Sequence, residues 1–267
     1  MADVIGGLSP TTGNYLIGKG FILIKEEGAS VYRHVGNVPS LEITPAVDTL
    51  DHFSSMEGTK AKDETIVLTK SGQIKMTMEE ITAKNIALLM LGDVVEDGYG
   101  GESINLFSRS SITSAFRFYG NNDKGPRWFF DLPKVIWNPS GAFAPISDQY
   151  ANLQATGEWT ADNGNFGTAT LKAAAGTVAP ENVLVPIIGG DKREGGTLKC
   201  FIGGWIGATA YTYVWKNAAV AISGPAETDS TYVVRAGDAG DSITCTVTAT
   251  NAIGSTNATT AAVVAFP

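Results

Sequence analysis

Two-residue alternation, more than any helical stripe, organises this chain. Tyr211, Tyr213 and Trp215 fall on one face with Thr212, Val214 and Lys216 on the other, and Ile243, Cys245, Val247 and Ala249 alternate with Thr244, Thr246, Thr248 and Thr250. A period of two with one apolar and one wet face predicts half-buried antiparallel strands. Ser223-Gly224-Pro225, Gly237 to Gly240 and Asn251 to Gly254 supply turn signals between the runs. Short strands so spaced predict a sandwich.

Upstream, Glu64 to Thr69, a turn at Lys70-Ser71-Gly72, and Ile74, Met76 and Met78 alternating with Lys75, Thr77 and Glu79 predict a hairpin over 64 to 80. A helix should follow, with Thr82 as N-cap, Ala83 to Leu91 as its body and Gly92 as a left-handed C-cap. Thr77-x-x-Glu80 offers an earlier capping box, but the alternation running on to Met78 favours the later start. Further strands are predicted at Phe21 to Lys25, Arg33 to Val38, Leu41 to Ile43, Ser111 to Tyr119, Arg127 to Val135 and Gly164 to Ala173. Thr44 to Lys62 shows no such pattern and reads as a polar loop. A loop of that length without its own core usually has a job, such as contact with another chain.

Composition sharpens this picture. With 31 Gly and 11 Pro the chain suits strands joined by many turns, and 43% apolar against 17% charged residues excludes full disorder. The longest apolar runs, Ile86 to Leu91 and Ala261 to Phe266, are far short of the ~20 residues of a spanning helix, so no membrane partner is expected. MADVIGG has neither a basic start nor an apolar segment, so no secretory signal is read and the cytoplasm is the expected place of synthesis. The net charge of -8 argues against a static nucleic-acid clamp, which works through cations on phosphates. It leaves open a wall past which nucleic acid slides.

A length of 267 residues suits one large or two ordinary domains. Gly189-Gly190-Asp191-Lys192-Arg193-Glu194-Gly195-Gly196 cannot bury a face and suits a linker or an exposed turn. The expected domains are therefore 1 to 190 and 191 to 267, with nearly all of the net charge in the first.

Leu198-x-Cys200, Gly204-Trp205, Tyr213-x-Trp215-Lys216, Asp238-x-Gly240, Ile243-Thr244-Cys245 and Thr248-Ala249-Thr250-Asn251 resemble the immunoglobulin-like domains of bacteria and phages. The resemblance implies a sandwich whose core holds Cys200, Trp215 and Cys245. Ile243 stands where many members carry the corner tyrosine, so that hydrogen bond cannot form. Facing sulfurs allow a disulfide; a reducing cytoplasm favours free thiols serving as small core residues.

Gly36-Asn37-Val38-Pro39-Ser40-Leu41-Glu42-Ile43, His52-Phe53-Ser54-Ser55, Gly58-Thr59-Lys60, Lys75 to Ile81 and Asn85 to Leu88 resemble the major tail tube proteins of long-tailed phages. This resemblance, best over 30 to 95, implies a β-sandwich or half-barrel with a flanking helix. It also implies six copies closing a ring by sheet pairing and rings stacking into the tail tube, a conduit for double-stranded DNA during ejection. Residues 44 to 62 would cross to the neighbouring ring, with Leu50, His52, Phe53 and Met56 in the contact. The implied partners are further copies, tail proteins such as the terminator, tape measure and tail tip, and passing DNA without specific binding. The place is the virion tail, assembled in the host bacterial cytoplasm.

The chemistry of catalysis is not legible. His34 and His52 share no metal-ligand spacing with each other or with a cysteine, and GxSxG, P-loop and GxGxxG motifs are absent. Glu26-Glu27 and Glu79-Glu80 are adjacent pairs, which on a strand point to opposite faces. No enzyme, metal or cofactor is expected. The competing reading is a binding module, in which the immunoglobulin-like domain contacts host glycans or cell surface and the N-terminal domain anchors it.

Overall fold

The computed structural model describes residues 12–56, 58–96, 101–122, 125–139, 141, 143–146, 148–218, 220–222 and 229–267. The N-terminal stretch MADVIGG and the Ser223-Gly224-Pro225 turn lie outside them. The chain is mainly β, as expected. It divides into two compact units, one of Ile22–Phe118 and Phe129–Thr170, the other of Tyr119–Trp128 and Leu171–Pro267 with the residues through Phe21.

In chain order the first part forms β1 (Gly20–Glu26), β2 (Arg33–His34), β3 (Ser40–Ser54), β4 (Ala61–Met78), helix α1 (Ala83–Met90), β5 (Asp93–Glu96), β6 (Glu102–Asn105), β7 (Ile112–Gly120), β8 (Arg127–Pro139), β9 (Leu153–Trp159) and β10 (Thr168–Lys172). One sheet runs β2-β1-β7-β8-β9-β4-β3, with β10 also on β8, and β5 pairs with β6 apart from it. Ile24, Ile74, Met76, Met78, Phe116, Val135, Trp137 and Leu153 fill its core with Leu88 and Leu89 of α1. The Trp137 Nε1–H donates to the buried Ser114 hydroxyl at 2.7 Å, which satisfies the one polar atom the indole carries inward.

Several local expectations change here. The stretch 61 to 78 is one continuous strand without a turn at Lys70-Ser71-Gly72. Gly72 pairs with Pro45 and Trp159, and a Cβ on it would lie 2.3 Å from the Trp159 ring. Its glycine therefore marks an indole laid on the strand, a recognised reason for glycine inside a sheet. Likewise 44 to 62 is no loop: Thr44 to Ser54 continue β3 and pair with Ala61 to Gln73 of β4. The strand expected over 33 to 38 shortens to β2 because the backbone turns at Gly36 (φ 91°), against which the Glu80 side chain lies. Thr82 caps α1, its hydroxyl accepting from Asn85 N at 3.2 Å, but Leu91 takes the left-handed conformation (φ 47°) in place of Gly92. The Gly92 N–H then closes the helix end on Ala87 O at 2.9 Å.

The remaining strands are β11 (Glu181–Leu184), β12 (Ile187–Gly190), β13 (Thr197–Phe201), β14 (Gly204–Ile206), β15 (Ala210–Asn217), β16 (Val220–Ala221), β17 (Thr231–Val233), β18 (Ser242–Thr250), β19 (Ser255–Thr259) and β20 (Val263–Val264). Sheets β12-β13-β17 and β16-β15-β18-β19, with β20 on β18, enclose one core, which is the arrangement of an immunoglobulin-like sandwich. Gly189 and Gly190 end β12, where Gly190 pairs with Leu198, Asp191 to Gly196 connect it to β13, and β11 pairs with β14. The elements on either side of 190/191, where the domain boundary was placed, are thus hydrogen-bonded to each other, and both fall in the compact unit that contains Leu171–Pro267.

Trp215 is fully buried, stacks on Tyr232 at 5.5 Å and donates from Nε1 to Asp229 O at 2.9 Å. It lies opposite Cys245 in the β15–β18 register. Cys200 and Cys245 are both buried and both free thiols. The hydrogen bond between the two thiols, and burial after it, push the Cys245 thiol far above its ordinary value, so it stays protonated. The missing tyrosine corner has a substitute. The Tyr232 hydroxyl donates to Asp238 Oδ2 at 2.5 Å, and the same carboxylate takes the Arg235 N–H at 2.8 Å and, on Oδ1, Asn217 Nδ2 at 2.8 Å.

Candidate assembly surface

β3 and β4 run together well past the sheet that holds their other ends. From Thr44 to Phe53 and from Ala61 to Lys70 every residue is exposed, on both faces. The ladder is continuous except for register shifts between Asp48 and Thr49 and between His52 and Phe53. We call this paired segment the arm.

Cross-strand partners share a face, so the register assigns each side chain. One face carries Ala46, Asp48, Leu50 and His52 opposite Ser71, Thr69, Ile66 and Glu64; the other carries Val47, Asp51 and Phe53 opposite Lys70, Thr65 and Lys62, with Thr49 opposite Val67. Side-chain bonds agree with the assignment: Thr69 donates to Asp48 at 2.7 Å and Thr65 to Asp51 at 2.9 Å. Lys62 Nζ lies 2.7 Å from Asp51, and its hydrogen bond, with that of Thr65 second, holds the Asp51 carboxyl below the usual range. His52 Nδ1 meets Asp63 at 2.6 Å.

Three of the four residues expected at the contact lie on this arm, and the fourth, Met56, lies in the loop that joins its strands. Leu50 and His52 share one face, Phe53 is on the other, and Met56 lies between the two strands, 94% exposed. Val47, Ile66, Val67 and Leu68 were not singled out from the sequence, yet each is roughly as exposed as Leu50. The Ile66-Val67-Leu68 run was the available signal, since consecutive apolar residues on a strand must serve both faces. Apolar side chains open on both sides of a two-stranded ribbon are unusual, because such a ribbon is marginal in water by itself.

Other polar groupings carry less. An open cleft of about 710 Å³ on the first unit is lined by Lys25, Tyr32, Arg117, Asp131, Lys134 and Asp162 among others. Within it Arg117 lies 3.0 Å from Asp131 and 4.2 Å over the Tyr32 ring. Glu79 and Glu80, expected to diverge, follow the end of β4 and both accept from Asn37, Glu79 from its side chain and Glu80 from its backbone N–H. His34 accepts the Gly36 N–H at 3.1 Å, and burial lowers its pKa against the opposing pull of Glu80. Among the described residues no group of three His, Cys, Asp or Glu side chains is placed to hold a metal, and no helix is long and apolar enough to cross a membrane.

Residues 15–101, which include the arm, match a protein family described as "Protein of unknown function UCP028589". A comparison with curated proteins gives no match.

Proposed function

We propose that this chain is a structural virion protein, a tail tube subunit that assembles with copies of itself into stacked hexameric rings forming the conduit for phage DNA. The observation that carries the reading is the arm: a long paired ribbon with apolar side chains open on both faces, which a partner must cover to hold it in water. Two further features support it. β3 ends the sheet order, so its outer edge offers backbone groups to a neighbouring strand, and ring closure removes such edges. The net charge of -8 suits a bore that repels phosphates. In this reading the work is positional, no bond is made or broken, and the partners are other tail proteins and DNA in passage.

Negative-stain microscopy of the purified full chain over a concentration series tests the proposal. Rings or tubes are expected, and monomers alone at every concentration would remove it.

A further inference from the structure

Charge divides the two faces of the arm. The Leu50/Ile66 face carries Asp48 and Glu64, with the His52-bound Asp63 beside them. The opposite face, whose apolar centre is Val47, Val67 and Phe53, carries Lys62 and Lys70, and its only carboxylate, Asp51, is engaged by Lys62 and Thr65. Each face thus has an exposed apolar middle flanked by charge, acidic on one side and basic on the other. A ribbon whose two faces have opposite sign repels a copy presented face to like face and attracts one presented to the opposite face.

We infer that the occupant of each arm face is the arm of a second copy, packed acidic face on basic face, so that Asp48 and Glu64 of one subunit meet Lys62 and Lys70 of the next. This rests on the self-assembly reading and specifies its geometry. Because the two contacting patches differ, the contact is heterologous: each subunit keeps one face free for a further copy, so association propagates and does not stop at a pair. The apolar middles supply the area removed from water, and the flanking charges fix which faces meet.

The test uses the full chain in three charge-reversed forms: Lys62→Glu with Lys70→Glu, Asp48→Lys with Glu64→Lys, and all four together. Sedimentation at low and moderate salt gives the concentration needed to assemble, and circular dichroism melting checks folding. Each two-site form now presents two faces of like sign, and its assembly concentration should rise at least about a hundredfold. Mixing the two forms, or joining all four changes in one chain, restores opposite faces and should bring assembly back to within about tenfold of the unaltered protein. Recovery on mixing also shows that the two-site forms are folded. If the unaltered chain assembles and either two-site form assembles equally well, or if both are lost and neither mixing nor the four-site form recovers them, the face-on-face pairing is wrong while self-assembly stands. An unaltered chain that never leaves the monomer overturns both.

Discussion

The arm and the β15–β18 pair are the same kind of object, two antiparallel strands paired along their length, with opposite relations to water. β18 buries Ile243, Cys245, Val247 and Ala249 completely and turns its threonines outward, whereas no residue from Thr44 to Phe53 is buried. Backbone pairing alone therefore does not write alternation into a sequence. Burial of one face does, because only then does a polar residue on the wrong side cost free energy. The comparison also separates two kinds of sensitivity. Substitutions in the sandwich should be read in folding stability, and those on the arm in association.

The largest effect is expected at Trp215. Removing its side chain opens a hole beneath Tyr232 and Cys245 and strands Asp229 O, so Trp215→Ala should cost about 3–5 kcal/mol in a denaturant titration. A loss below about 1 kcal/mol would mean the sandwich core tolerates voids as freely as the arm does.

Asp238 comes next. Asp238→Ala leaves the Tyr232 hydroxyl, the Arg235 N–H and Asn217 without their acceptor and should cost about 2–3 kcal/mol. Burial acts most strongly on this carboxyl and pushes it up, but the Tyr232, Arg235 and Asn217 hydrogen bonds together outweigh it and hold the group below the usual carboxylate range. A depressed folded-state pKa contributes stability that is fully present above the unfolded value and is lost as pH falls through the folded one. Melting of the unaltered chain should therefore weaken through the acid range more steeply than that of Asp238→Asn. Equal slopes would detach the carboxylate from the corner's stability.

What the residues disclosed follows the same division. Strands β15 and β18 of the sandwich, its Cys200, Trp215 and Cys245 core, and the start of α1 at Thr82 were readable because each has a buried face or a cap with a fixed partner. Strand β9 went unread although Leu153, Ala155 and Gly157 do alternate with Gln154, Thr156 and Glu158, because its inward residues shrink to Ala and Gly beneath Val135 and Trp137. The β3 side of the arm was read as a loop since Val47, Leu50 and Phe53 recur every third residue, a spacing that spreads apolar groups over both faces of a strand. The four residues named for a contact still fell within this exposed segment and the loop at its end, on the strength of length and apolar content and not of period. Gly72 misled for a different reason: a glycine that signals a turn and one that makes room for an indole look alike until the partner strand is known.

Gly72 also joins the two regimes, since the arm leaves the sheet there. Gly72→Ala places a methyl group 2.3 Å from the Trp159 ring, whose Nε1–H is engaged with Phe166 O at 2.6 Å. The ring has to shift or the strands part, and overpacking of this kind should cost about 1–3 kcal/mol in thermal or denaturant unfolding. A neutral result would place Trp159 among the adaptable side chains and the arm's root outside the rigid core.

The smallest effect on stability should come from Phe53→Asp, and that is its use. Phe53 is 46% exposed opposite Lys62, touches no buried cluster, and sits where a surface substitution normally shifts folding by no more than about 0.5 kcal/mol. The same change puts a carboxylate into the apolar middle of one arm face, where a covering partner would have to desolvate it. Folding unchanged with tubes shortened or lost is the outcome expected if the arm is written for association. Folding unchanged with tube length and yield also unchanged would leave Phe53 an ordinary exposed aromatic and remove it from the contact. A drop of several kcal/mol in the isolated subunit would erase the contrast between arm and sandwich, because it would show the ribbon's faces already at work within the monomer.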